Sequence, residues 1–124
     1  MTTQPIKVLN TIAQALFDKK GFNILVLDVR GISTMTDYFV IAEGTVNRHI
    51  KALSQVVENA LKPLNWIPIH VDGSDEADWI VMDYSEIVIH LMVPDLRERY
   101  ALEELWKDGK VVDVHIEIDS TLKL

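Results

Sequence analysis

Apolar positions along the chain recur in two rhythms, and the changes from one to the other mark the elements. Residues 4–20 place Ile6, Leu9, Ile12, Ala13, Leu16 and Phe17 on one face at helical spacing, which predicts an amphipathic first helix. Thr3 is placed to cap its start and Gly21 its end. Ile24-Leu25-Val26-Leu27 then forms a short apolar run closed by Asp28-Val29-Arg30, the pattern of a buried strand with charged groups at its end. Tyr38-Phe39-Val40-Ile41-Ala42 predicts a second strand, and Glu43-Gly44-Thr45 turns the chain into a helix that Thr45 or Asn47 can cap. Val46, Ile50, Leu53, Val57, Ala60, Leu61 and Leu64 keep the helical period until Pro63 stops it. Residues 66–71 predict a third strand, which Pro68 confines to a sheet edge or interrupts.

The most apolar stretch follows an acidic loop at residues 72–78. Trp79-Ile80-Val81-Met82 and Ile87-Val88-Ile89-His90-Leu91 flank Asp83-Tyr84-Ser85-Glu86, which predicts a β-hairpin near the centre of a sheet, with Asp83 and Tyr84 projecting at its tip. Its nearly continuous apolar character predicts strands covered on both faces. Pro94 and Asp95 open a third helix whose apolar side is Leu96, Tyr100, Leu102, Leu105 and Trp106, with Arg99 and Glu103 as an i,i+4 pair worth at most ~0.5 kcal/mol. In the tail, Val112, Val114, Ile116 and Ile118 alternate with Asp113, His115 and Glu117, the period of a half-exposed strand. Such a strand adds to a sheet edge of this molecule or of a second copy. The sum is an α/β domain with a sheet of about five strands and flanking helices, and the boundaries divide it into a body of residues 1–106 and a tail of residues 107–124.

Composition narrows the classes. The 124 residues suffice for one substantial core. No cysteine is present, which excludes disulfides, thiolate metal sites and a cysteine nucleophile. Twelve Lys and Arg against nineteen Asp and Glu leave a formal charge of -7, so a phosphate backbone is not expected as the main source of affinity, and a basic protein is the preferred partner. The N-terminus lacks a basic, then apolar leader, and no apolar run approaches the ~20 residues of a membrane span, which predicts a cytoplasmic protein without membrane contact. His49, His70, His90 and His115 show no paired metal spacing, and no metal or cofactor is expected.

Several blocks, in order, resemble the ribosomal silencing factor, or Iojap-like, family. They are Asp28-Val29-Arg30, Thr36-Asp37-Tyr38-Phe39-Val40-Ile41-Ala42 with Gly44, and Trp79-Ile80-Val81-Met82-Asp83-Tyr84 followed by Val88-Ile89-His90. Arg97, Tyr100, Leu102-Glu103 and Leu105-Trp106 join them, so the resemblance spans roughly residues 6–106. Ser85-Glu86 stands where the family pattern commonly reads Gly-Asp. The resemblance implies a mixed sheet of nucleotidyltransferase-like topology in residues 1–106. It also implies a repressor of translation under nutrient shortage. Such a protein binds the large ribosomal subunit through the ribosomal protein numbered fourteen in the large-subunit series and blocks subunit joining.

For that docking the expected contact residues are Trp79, Met82, Asp83, Tyr84, Arg97 and Tyr100, since aromatic side chains and Arg dominate interface anchors. Two alternatives stand beside it. A nucleotidyltransferase-like enzyme would hold magnesium on carboxylates such as Asp28, Asp37 and Asp83. Its usual Gly-Ser turn followed by strand-borne acids is not matched, because Gly73-Ser74 is followed by acids in a loop, so no catalytic residue is assigned. A homodimeric adaptor pairing through its tail is the other.

Overall fold

The computed structural model describes residues 4–73 and 77–118. Helix α1 is Pro5–Asp18, strand β1 Phe22–Asp28, β2 Tyr38–Glu43 and helix α2 Asn47–Leu61, which runs into a 3-10 turn at Lys62–Leu64. Strand β3 is His70–Asp72, β4 Trp79–Asp83, β5 Ile87–Met92, helix α3 Pro94–Tyr100, and β6 Lys110–Val111 after a 3-10 segment at Leu102–Trp106. The strands form a single mixed sheet of six in the order β3-β4-β5-β2-β1-β6. Among the strands of the described residues only β2 and β5 pair parallel, with Tyr38 opposite Ile87 and Glu43 opposite Met92. A parallel pair needs a long crossover, and α2 with the outer strands supplies it. The sixth strand is the tail's contribution, pairing Lys110 with Asp28 and Val111 with Leu27.

One face of the sheet is covered by α1 and α2. Val8, Leu9, Ile12 and Leu16 of α1 and Ile50, Leu53, Val57 and Leu61 of α2 close over Val40, Ile80, Met82, Ile87, Ile89 and Leu91. The opposite face carries a smaller cluster of Leu27, Val29, Phe39, Ile41 and Met92, packed by Trp79, Leu96, Leu102 and Trp106. Every residue of β2 is buried, as a strand covered on both faces requires. The hairpin differs from expectation here. Trp79, Val81 and Asp83 of β4, and Val88 and His90 of β5, are only half-buried, because α3 is too short to cover them.

Termini and turns refine the expected boundaries. Thr3 lies outside the described residues, and Gln4 precedes α1 without a side-chain cap. At the other end the left-handed residue is Lys20 (φ 70°), not Gly21. Lys20 N–H bonds Phe17 C=O and Gly21 N–H bonds Leu16 C=O at 2.7 Å, the paired bonds of a Schellman ending. Gly21 is needed for proximity, since a Cβ there would lie 2.8 Å from the Leu16 oxygen. Neither Thr45 nor Asn47 is the cap of α2. That position is Val46, and the His49 ring takes over by accepting Thr45 N–H on Nδ1 (2.9 Å) and donating from Nε2 to Lys19 C=O (2.8 Å), which ties α2 to the end of α1.

Strand β3 starts two residues after Pro68 and lies at the sheet edge, as a proline without an N–H dictates. Helix α3 ends sooner than the apolar spacing predicts, at a left-handed Ala101 (φ 44°), so Arg99 pairs with Asp95 and Glu103 turns back to Arg97. Past β6 the tail keeps its period of two, with Val112, Val114 and Ile116 half-buried; Val112 N–H still bonds Val26 C=O of β1, but from His115 on the backbone bonds α1 instead of a strand. Asn10 Oδ1 accepts His115 N–H, and the Gln14 amide bonds both N–H and C=O of Glu117. Among the described residues no helix is long and apolar enough to cross a membrane.

The hairpin turn bears on stability. Ser85 has φ 73°, and Glu86 N–H bonds Tyr84 C=O, a tight γ-turn of the strained positive-φ kind. Asp83 Oδ1 holds it by accepting Ser85 N–H at 2.7 Å. Replacing Ser85 with glycine is expected to raise the unfolding free energy by about 0.5–1 kcal/mol, read as a higher urea midpoint at unchanged slope.

Candidate functional site

The half-covered face of the hairpin concentrates aromatic side chains. A row of rings crosses it from the 3-10 segment over β2, β5 and β4 to α3: Trp106 to Phe39 (6.5 Å between centroids), Phe39 to His90 (5.0 Å), His90 to Trp79 (5.9 Å) and Trp79 to Tyr100 (5.1 Å). All are tilted by 45° to 52°, the offset geometry that aromatic quadrupoles favour. Trp79 Nε1–H donates to His90 Nδ1 at 3.1 Å. Burial pushes the His90 imidazole down to about 4, so at neutral pH it is uncharged and its Nδ1 lone pair is free to accept. At the outer end of the row Tyr100 is 52% exposed, and Leu105, in the 3-10 segment that follows α3, is 70% exposed; exposed large apolar side chains of this kind mark contact surfaces. Glu98 and Glu104, close to these residues in the sequence, are exposed acids, and the Asp95 carboxylate beside Arg99 is also open to solvent.

Arg97 plays a different part from the one expected. Its Nη1 reaches Glu43 Oε2 at 3.1 Å, its Nε reaches Glu103 Oε2 at 3.4 Å, and Nη1 also donates to the Asn23 carbonyl. Only 14% of the Arg97 side chain and 9% of the Glu43 side chain meet solvent. Asn23 Nδ2 adds a further bond to Glu43 Oε2 at 3.0 Å. Arg97 therefore clamps α3 and the 3-10 segment onto β1 and β2, and positions the helix that carries Tyr100.

The six expected contact residues thus separate. Trp79 and Tyr100 are brought together on the half-covered face, and Asp83 lies on the same face four residues along β4. Met82 and Tyr84 are not with them, because alternate residues of a strand point to opposite faces. Met82 is fully buried under α2, and the Tyr84 ring packs at 6.3 Å from the buried Trp66 instead of projecting from the tip. Burial, with Glu58 adding to it, pushes the Tyr84 phenol up. Glu43, His90 and Leu105 also contribute here, and none of them is among the six expected contacts. His90 was legible as a polar residue on the same parity as Trp79. Glu43 had no local signal, since its partner Arg97 is remote in sequence.

Asp28 and Asp83 share one end of the sheet but lie three strands apart and on opposite faces, Asp28 opposite Tyr38 and Asp83 opposite Val88, while Asp37 directly precedes β2. Their carboxylates serve other bonds. Asp28 forms a two-pronged pair with Arg30, at 3.0 and 2.7 Å, which holds its carboxyl below the usual range, and Asp83 supports the hairpin turn. Among the described residues no group of three or more His, Asp or Glu is close enough to hold a metal ion, and Ser74, Asp75 and Glu76 lie outside them.

Known proteins share this arrangement of blocks. The family model described as ribosomal silencing factor during starvation matches residues 2–123. The Ribosomal silencing factor RsfS of Bacillus subtilis is 34% identical over 108 residues, 86% of this chain and 91% of that one. The mouse protein named Mitochondrial assembly of ribosomal large subunit protein 1 is 35% identical over 101 residues, covering 79% of this chain and 44% of its own length. Among solved structures, a protein from Chromobacterium violaceum superposes with a TM-score of 0.81 at 26% identity, covering 97% of this chain and 99% of that one. With its ordered motifs, its six-stranded mixed sheet and a family match over nearly its whole length, this chain belongs to the RsfS family of ribosomal silencing factors.

Proposed function

We propose that this chain acts in the cytoplasm as a non-enzymatic repressor of translation. It docks on the large ribosomal subunit through the basic ribosomal protein numbered fourteen in the large-subunit series and excludes the small subunit. Trp79 and Tyr100 are the anchors in this reading, Leu105 extends the apolar contact, and Asp83 meets a basic group at its margin. Met82 and Tyr84 support the strand from the core, and Arg97 holds α3 in place.

The observation that carries the reading is the exposed Tyr100 ring packed against the half-buried Trp79, with exposed Leu105 and the exposed acids Glu98 and Glu104 close by in the sequence, on a chain of charge -7. Large aromatic anchors supply affinity, while acids steer a basic protein toward them and repel bare RNA. Family membership and the large-subunit wording of the mouse relative's name support the same partner. No bond is made or broken. A 14.1 kDa body seated where the small subunit must lie acts by occupancy alone.

Co-sedimentation with separated subunits tests this. The wild type is expected to pellet with the large subunit and not the small one. A Trp79→Ala, Tyr100→Ala protein, verified as folded by circular dichroism, is expected to bind roughly 1,000-fold more weakly, because each anchor carries about 2 kcal/mol or more. Wild type that pellets with neither subunit would sink the reading.

A further inference from the structure

Resting on that docking reading, we propose that His90 is a positioning residue for docking: its ring, wedged between Phe39 and Trp79, and its Nδ1, accepting the Trp79 indole N–H, fix the indole in the orientation a basic protein partner meets.

In the β4/β5 register Trp79 stands opposite Met92 and His90 opposite Val81, so the two rings meet across the strand diagonal. Long side chains reach each other along that diagonal, and here they do so by both ring contact and hydrogen bond, at 5.9 Å and 3.1 Å. Phe39 backs His90 from the next strand at 5.0 Å and is itself fully enclosed, so His90 stands on a rigid support. Trp79 has Tyr100 on its other side. The indole is thereby held from two directions, by a ring on a short helix and by a ring on a central strand.

A half-buried indole without an acceptor would sample several χ2 settings and bond to water. Fixing it beforehand removes an ordering cost at the moment of association, equivalent to about a three- to ten-fold gain in affinity for one side chain. An uncharged imidazole with its proton on Nε2 is the form that offers Nδ1 as acceptor, and its burial maintains that form. A phenylalanine would pack in the same place and leave the indole unfixed.

The test combines binding with a spectroscopic readout. His90→Phe keeps an aromatic ring and removes the acceptor, whereas His90→Asn places an amide oxygen near the Nδ1 position. In His90→Phe the Trp79 indole N–H resonance is expected to shift and to lose protection from solvent exchange, and affinity for the large subunit to fall three- to ten-fold. His90→Asn should retain the protected resonance and bind more tightly than His90→Phe. In a Trp79→Phe background, which lacks the indole N–H, His90→Phe should cause no further loss. An H90F protein that binds as the wild type does, or that loses as much in the Trp79→Phe background, overturns the proposal and leaves the docking reading intact. Wild type that pellets with neither subunit overturns both.

Discussion

Replacing Arg97 with alanine is expected to lower the unfolding free energy by about 3–5 kcal/mol, the range for removing one partner of a buried ion pair. The guanidinium fork meets two carboxylates and a backbone carbonyl, and Glu43 is nearly sealed from water. Without Arg97 that carboxylate keeps only the Asn23 amide. Its charge must then be carried in a poorly solvated site or neutralised by a proton. Lysine is a poor substitute, because a point charge on a flexible stem cannot meet Glu43, Glu103 and the Asn23 carbonyl together. The contrast is Arg99 with Asp95, whose side chains are 63% and 82% exposed. Alanine at Arg99 is expected to change stability by less than about 1 kcal/mol. Urea unfolding of the two variants checks both figures, and an Arg97→Ala loss no larger than the Arg99→Ala one would remove the clamp from the account.

Acidification from pH 6.5 to pH 4 is expected to cost about 3 kcal/mol of stability through His90 alone. The unfolded imidazole takes a proton near 6.5, while burial holds the folded one down to about 4. Between those values the unfolded state binds the extra proton, so stability falls as pH falls. The contribution is fully present above pH 6.5. Unfolding free energies measured at pH 7, 6, 5 and 4.5 should decline more steeply for the wild type than for His90→Phe, by up to about 1.4 kcal/mol per pH unit within the window. Parallel declines would show that His90 titrates normally in the folded chain.

Much of the fold is written in local patterning. The hairpin at Trp79 to Met92, the strand at Tyr38, both long helices and the edge position of the Pro68 segment follow from period, β-branching and turn chemistry, and each is present. What local patterning does not carry is the third helix's early end at Ala101 and the Arg97 to Glu43 clamp, which join elements remote in sequence. The docking candidates show the same divide. Residue type pointed to Trp79, Met82, Tyr84 and Tyr100 alike, because large side chains suit cores and interfaces equally. Strand parity, present in the sequence all along, separates Trp79 and Asp83 from Met82 and Tyr84. Tyr100 stands beside Trp79 on a helix that the Arg97 clamp ties to β1 and β2, a tie between elements remote in sequence.

The parallel pairing of β2 with β5 also governs the order in which the chain can be built. Synthesis delivers β2 long before β5, since α2, β3 and β4 come between them. Closing so long a loop costs entropy before any contact rewards it, and such non-local pairings are the slow steps of folding. Until β5 arrives, β2 has only β1 beside it, and its other edge presents unpaired amides on a strand whose every residue is buried in the finished fold. A chain cut short before Ile87 therefore keeps an adhesive edge in the middle of its sheet, the kind of surface on which nascent chains aggregate.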